Sequence, residues 1–165
     1  MKKYYIVLIL IVLMGSCQLY GQLSKDSEVY QEILLQDSIM FHASFITCDI
    51  EQLRQMTTED IEFYHDQSGM NRSQEAFLNA TREGLCKLSY KAWREMIPGT
   101  LQMWPLYENG KIYGVLQNGQ HQFYAKYPDK EEAFVSSVAD YSTLWLKKGE
   151  KWLVARVISF NHHDP

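Results

Sequence analysis

Apolar residues recur at helical steps through the first half of the chain and at alternating positions through the second. The period changes near residue 87. Over residues 28–48, Val29, Ile33, Met40, Phe41 and Cys48 follow three-, four- and seven-residue steps, which predicts one long amphipathic helix. Asp49 then reads as an N-cap with Gln52 as its capping-box partner, opening a short second helix whose apolar face is Ile50, Leu53 and Met56. Residues 58–66 read as a strand carrying Phe63 and Tyr64, closed by the turn signal Ser68-Gly69. A third helix starts at Asn71 or Ser73 and runs to about Lys87, burying Phe77, Leu78, Thr81 and Leu85. Strands follow over residues 87–96, 100–107, 111–126, 137–147 and 151–162, with Gly149 turning the last hairpin. Helices first and antiparallel strands after them define an α+β layout in one domain.

One stretch supports two readings. Asn109-Gly110 and Asn118-Gly119 are both two-residue hairpin signals, and taken alone they predict three short strands. Tyr113, Val115, His121, Phe123 and Ala125 also fit a single strand bent by a bulge at Gly119.

The N-terminus carries a different signal. Lys2-Lys3 precede an unbroken apolar run over residues 4–14, followed by Gly15-Ser16-Cys17. A helix needs about 20 residues to span a bilayer, so this run fits the core of an export signal. Cleavage after Gly21 would leave residues 22–165 as the mature domain. The alternative is a loose lipoprotein box, in which Cys17 becomes a lipidated N-terminus and the only link to a membrane. Losing the lysines with the leader takes the formal charge from −4 to about −6. An acidic chain without a basic run is a poor nucleic-acid binder. Export also changes how Cys48 and Cys86 read: an even pair in an oxidising compartment suggests a disulfide, the alternative being two buried thiols. No CxxC spacing suggests zinc or thioredoxin chemistry.

Several segments together resemble a known family. They are Glu59 to Asp66 followed by Gly69; Arg94-Glu95 before Pro98-Gly99; Tyr113-Gly114-Val115; Gly119 to Phe123; and Leu144-Trp145, Gly149, Trp152, Arg156-Val157, Ser159 and His162. In order and spacing these resemble the nuclear-transport-factor-2-like superfamily, in the branch numbered as domain-of-unknown-function family 4440. That branch stands close to the SnoaL-like polyketide cyclases and ketosteroid isomerases. The resemblance covers roughly residues 30–163, and Cys48 and Cys86 sit where such sequences often carry cysteines. It implies a cystatin-like cone: a curved antiparallel sheet wrapped around a long helix, with a pocket inside. It also favours the single long strand bent at Gly119. Relatives often read Ser-Tyr-Asp-His in the last strand, where this chain has Ser159-Phe160-Asn161-His162. Asn161 cannot act as a general base.

The candidate site follows from residue types. His65, Asp66, His121, Arg156 and His162 are placed near the mouth or wall of the cone, with Tyr64, Tyr113, Phe123 and Trp145 as apolar lining. An apolar cavity with a few convergent polar groups is the usual form of a ligand site. His65, Asp66 and His162 are the acid–base candidates. His65 and Asp66 are adjacent on a strand, so their side chains face opposite ways unless the strand ends there; the plainer reading is that they fasten the following turn. Trp152, Val154, Arg156 and Ile158 alternate along one strand face, which puts Arg156 in an apolar stripe and pointing into the pocket. There it meets a ligand's negative group or a carboxylate, Glu62, Asp140 or Glu95. Trp104, Trp145 and Trp152 read as packing residues. His162-His163-Asp164 lacks a third convergent ligand, and no metal or cofactor is expected. No GxSxG, HExxH or phosphate-loop motif is present. Two function classes follow. One is an exported binding protein, monomer or homodimer, for a small apolar or anionic molecule. The other is an isomerase, cyclase or dehydratase moving a proton on a carbonyl compound. In ketosteroid isomerase that chemistry uses an apolar site, a carboxylate base and an acid that stays protonated.

Overall fold

The computed structural model describes residues 21–165. The export-signal residues Lys2, Lys3 and Cys17 lie outside the described residues. Helix α1 (Glu28–His42) begins where the Ser27 hydroxyl accepts the Tyr30 amide at 3.3 Å. It buries Tyr30, Ile33, Asp37 and Met40 along one stripe and widens into a π-helical turn, Ala43–Thr47, ending on Cys48 in the left-handed region. Asp49 caps α2 (Ile50–Met56) by accepting the Gln52 amide at 2.9 Å. Helix α3 (Gln74–Glu83) starts at Ser73 rather than Asn71, the Ser73 hydroxyl accepting the Ala76 amide. It ends at Gly84, before the expected Lys87, and a 3-10 turn, Leu85–Lys87, follows.

The strands are β1 (Thr57–His65), β2 (Gly69–Asn71), β3 (Lys91–Met96), β4 (Gln102–Glu108), β5 (Lys111–Lys126), β6 (Phe134–Lys148) and β7 (Lys151–His163). They form one seven-stranded sheet in the order β2-β1-β7-β6-β5-β3, with β4 also on β5. The sheet is mixed rather than wholly antiparallel, because β1 runs parallel to β7. Its inner face closes over α1, and Ile33, Leu53, Ile61, Leu78, Met103, Val115, Trp145 and Val154 are fully buried between them.

Strand β5 is one continuous element, as the resemblance implies, but its bulge is not at Gly119. Pairing with β6 runs without a break from Gly114 to Phe123. Gly119 instead marks where the other edge of β5 changes partner, from β4 at Asn118 to β3 at His121. A Cβ there would sit 3.1 Å from the Tyr141 ring, so the glycine makes room for that side chain. The bulge lies at Tyr113, the extra residue between the Leu106–Gly114 and Tyr107–Ile112 pairs. A second lies at Ala155, between the Leu144–Arg156 and Trp145–Val154 pairs. One inserted residue moves every later side chain to the other face. Trp152 and Val154 therefore face the core while Arg156 and Ile158 face outward.

Cys48 and Cys86 form a disulfide with Cα atoms 5.7 Å apart, joining the end of the π-helical turn to the 3-10 turn after α3. Its 38-residue separation corresponds to about 4 kcal/mol in the chain-entropy model. The Cys48→Ser/Cys86→Ser variant is expected to unfold in urea with a stability lower by about that amount. An unchanged midpoint would show that the bond constrains little.

Candidate functional site

A cavity of about 630 Å³ opens between α1, α3 and the inner face of the sheet. Its deep end is organised by charge. Asp37 sits on the buried stripe of α1, one turn after Ile33 and one before Met40. Arg94, from β3, grips it from both nitrogens: Nη1 donates to Oδ2 at 2.8 Å and Nη2 to Oδ1 at 3.2 Å. The two side chains are only 4% and 2% exposed. Burial pushes the Asp37 carboxyl above its ordinary range, against the opposing pull of Arg94 and Gln117. The guanidinium also lies over the Phe41 ring at 3.5 Å.

This pair orders its neighbours. Gln117 Nε2 donates to Asp37 Oδ1 at 3.2 Å and to Tyr141 Oη at 3.1 Å, while its Oε1 accepts the Trp145 indole N–H at 2.6 Å. Burial, then the Asp37 charge, pushes the Tyr141 phenol up, so it stays a hydroxyl. Arg94 Nε donates to His121 Nδ1 at 3.0 Å. With Nδ1 accepting, the proton of neutral His121 lies on Nε2. That buried N–H has no hydrogen-bond partner among the described residues. Burial, and then Arg94, pulls the His121 pKa down to about 3, so the ring stays neutral.

The second polar group lies on β7 and at the end of β1, with Asp66 the residue just past that strand. Asp66 Oδ2 accepts the His162 amide at 3.0 Å and Oδ1 meets His162 Nδ1 at 2.5 Å. A carboxylate can only accept, so His162 carries a proton on Nδ1, and in the neutral ring Nε2 is the lone pair. Nε2 faces the Ser159 hydroxyl at 3.4 Å. The His162 amide, donating to Asp66, holds its carboxyl below the ordinary range. His65 stacks on His162 with centroids 4.2 Å apart. Its Nδ1 accepts the amides of Gln67 and Ser68 at 3.1 and 3.3 Å, which puts its proton on Nε2. Burial, then the neighbouring His162, lowers the His65 pKa and keeps it neutral. His65, Asp66 and His162 place potential ligand atoms within 4.8 Å of one another. In this arrangement His65 Nδ1 is taken by the Gln67 and Ser68 amides and His162 Nδ1 by Asp66.

His65, His121, Phe123, Trp145 and His162 line the cavity. Tyr64, Tyr113 and Arg156 do not. Tyr64 faces away from the cavity on β1, its hydroxyl donating to Glu62 at 2.9 Å, and Tyr113 is turned out by the bulge and exposed. Strand alternation predicts that Arg156 points inward. The Ala155 bulge carries it to the outer face, where it pairs with Glu62 at 2.9 Å and Asp60 at 3.4 Å. The strand does end at His65, which lets His65 line the cavity while Asp66 reaches His162. Sequence reasoning did not single out Asp37 and Ser159, which line the cavity, or Gln117, which holds Asp37 from behind it. Asp37 had a signal: an acidic residue in phase with Ile33 and Met40.

No family model and no curated protein matches the chain. Solved structures do. An NTF2-like superfamily protein from Salmonella enterica aligns over 79% of this chain and 88% of its own, at 15% identity and a TM-score of 0.64. LinA aligns over 82% and 86%, at 12% identity and 0.65; a second LinA structure is described as a hexachlorocyclohexane dehydrochlorinase. ActVI-ORFA from Streptomyces coelicolor aligns over 82% and 98%, at 12% and 0.67. The chain has the nuclear-transport-factor-2-like fold. Proteins of that fold include enzymes as well as proteins of unknown function. Among the described residues, no helix is long and apolar enough to cross a membrane.

Two outcomes test the deep end. Arg94→Leu strands the Asp37 carboxylate and should cost about 3–5 kcal/mol in urea unfolding. The Asp37→Leu/Arg94→Leu double variant should recover part of this, and equal losses would mean that the charges are uncoupled. For His121 the pKa falls from 6.5 to about 3 on folding. Between these values the unfolded chain binds the extra proton, so stability rises with pH and this gain is complete above about 6.5. The limiting slope is about 1.4 kcal/mol per pH unit. His121→Gln should flatten the profile between pH 4.5 and 6.5, and comparison of the two proteins isolates His121 from Asp37 and His65.

Proposed function

We propose that this is an exported protein that holds a small, mostly apolar molecule in its cone cavity. The observation that carries the reading is the buried, unpartnered N–H of His121 in a cavity wall otherwise rich in aromatic rings. A buried donor without a partner is costly, and a ligand acceptor such as a carbonyl or ether oxygen would satisfy it after a small shift of the ring. A neutral His121 suits an uncharged acceptor, and Arg94, already committed to Asp37, does not call for an anion. The apolar run behind Lys2-Lys3 and the Cys48–Cys86 bond support export.

Proton transfer on a carbonyl compound is the second reading. It is favoured by the His162 lone pair held by Asp66, with the neutral N–H of His65 beside it. These are a base and a hydrogen-bond donor in one place.

Native mass spectrometry of the protein taken from its own cells is expected to show a non-covalent adduct of small-molecule mass. Ala80 lines the cavity from α3 and is exposed to it, so Ala80→Trp should fill the space and abolish the adduct while the protein stays folded. An adduct that survives Ala80→Trp lies elsewhere, and an empty wild-type protein that also takes up no apolar carbonyl probe would end the reading.

A further inference from the structure

Asp66, His162 and Ser159 stand in the order carboxylate, imidazole, hydroxyl. We propose that Ser159 is a nucleophile and that the protein forms a covalent acyl intermediate on it from small apolar esters. The motifs that usually announce such a serine are absent from the sequence, and the arrangement arises instead from a local break in β7. Ser159 and His162 are three residues apart, so on a regular strand they would face opposite ways. Asn161 between them adopts φ +57°, and the β6 register slips by one residue across this stretch. The alternation resets, and both side chains face the cavity. A left-handed non-glycine residue costs energy and is concentrated at functional sites. Asparagine tolerates the conformation better than most residues, and here its side chain is tied to Asp140 Oδ2 at 2.6 Å.

Each part has a role. Asp66 fixes His162 with its proton on Nδ1, so that Nε2 can take the Ser159 proton. The 3.4 Å separation is long, but such bonds are commonly loose before a substrate arrives. Ser159 is 5% exposed and lines the cavity, so the attack would occur out of bulk water. His65 pairs in register with Ser159 on the adjacent parallel strand and lines the same cavity. Its proton is forced onto Nε2 by the Gln67 and Ser68 amides. That N–H is the donor available to an oxyanion beside Ser159.

The step balances with the ester and water alone. Ser159 Oγ bonds to the ester carbon as its proton passes to His162 Nε2, and the carbonyl electrons move to oxygen. Collapse breaks the ester C–O bond, and the leaving alcohol takes the proton from His162. Water then adds to the acyl carbon through the same base, releasing the acid and restoring Ser159.

The inference shares the cavity of the binding reading, and its test separates the two. The folded wild-type protein is treated with diisopropyl fluorophosphate, which phosphorylates an activated serine with loss of fluoride. Peptide mapping is expected to find one diisopropylphosphoryl group, on Ser159. His162→Gln and Asp66→Asn should each slow labelling by about 100-fold or more, with both variants still folded by circular dichroism. Release of p-nitrophenol from p-nitrophenyl acetate should show a burst, lost in Ser159→Ala. Label on another residue, none on Ser159, or ester hydrolysis unchanged in Ser159→Ala would overturn the nucleophile. If the native-mass adduct persists while Ser159 stays unlabelled, the triad falls and the binding reading stands. Labelling of Ser159 in a protein whose cavity takes up no ligand gives the reverse.

Discussion

The buried pair of Asp37 and Arg94 is the interaction on which the rest of the site depends. Taking two charges out of water costs several kcal/mol each, and only close, well-satisfied geometry offsets this. Here both carboxylate oxygens and all three guanidinium nitrogens are engaged. The pair fixes where α1 lies against β3 and β5. It also spends the acceptor on His121 Nδ1, which decides which nitrogen of that ring keeps the proton. A shift in the helix would strain the charge pair together with the apolar contacts of Ile33 and Met40 on the same stripe.

Breaks in strand alternation decide which side chains share a face of the sheet. Tyr113 and Ala155 each insert one residue into a ladder, and Asn161 turns left-handed near the end of β7. Each break changes which side chains meet. The first leaves Tyr113 exposed, the second turns Arg156 outward, and the third brings His162 beside Ser159. The outward turn of Arg156 leaves it with Glu62 and Asp60 at the surface, where exposed ion pairs contribute little.

This explains what the sequence could and could not tell. Element order and type were legible because helical and alternating periods persist over many residues, as in α1 and β5. His65, His121, Phe123 and Trp145 fell on the expected faces because no bulge separates them from the residues that set their phase. Arg156 was misplaced because period-2 reasoning carries past a bulge that leaves no distinctive residue: Ala155 looks like any strand alanine. The parallel pairing of β1 with β7 was hidden for a related reason, since alternation is the same in either direction. Asp37 was readable in principle, as an acid on an apolar stripe, but its partner Arg94 lies 57 residues away and only the fold joins them.

The two polar groups of the cavity divide the work that acid–base or covalent chemistry would need. The deep group is dry and locked, with His121 neutral and its protons assigned by fixed neighbours, so it can orient a ligand but is poorly suited to exchanging protons. The mouth group differs. Asp66 remains partly exposed, while His162 keeps a lone pair that only a weakly held hydroxyl occupies. A proton accepted there can return to water through the side of the cluster that meets solvent. On the proposed reading, recognition would fall to the buried group around His121 and reactivity to the more exposed group around His162. Asn161 is central to this separation. An aspartate in its place would set a second charge against Asp140, whose carboxylate Asn161 now satisfies. The repulsion would work against the left-handed turn that brings His162 to Ser159. The substitution that removes a candidate base from the last strand thus helps to hold the turn that builds another one beside it.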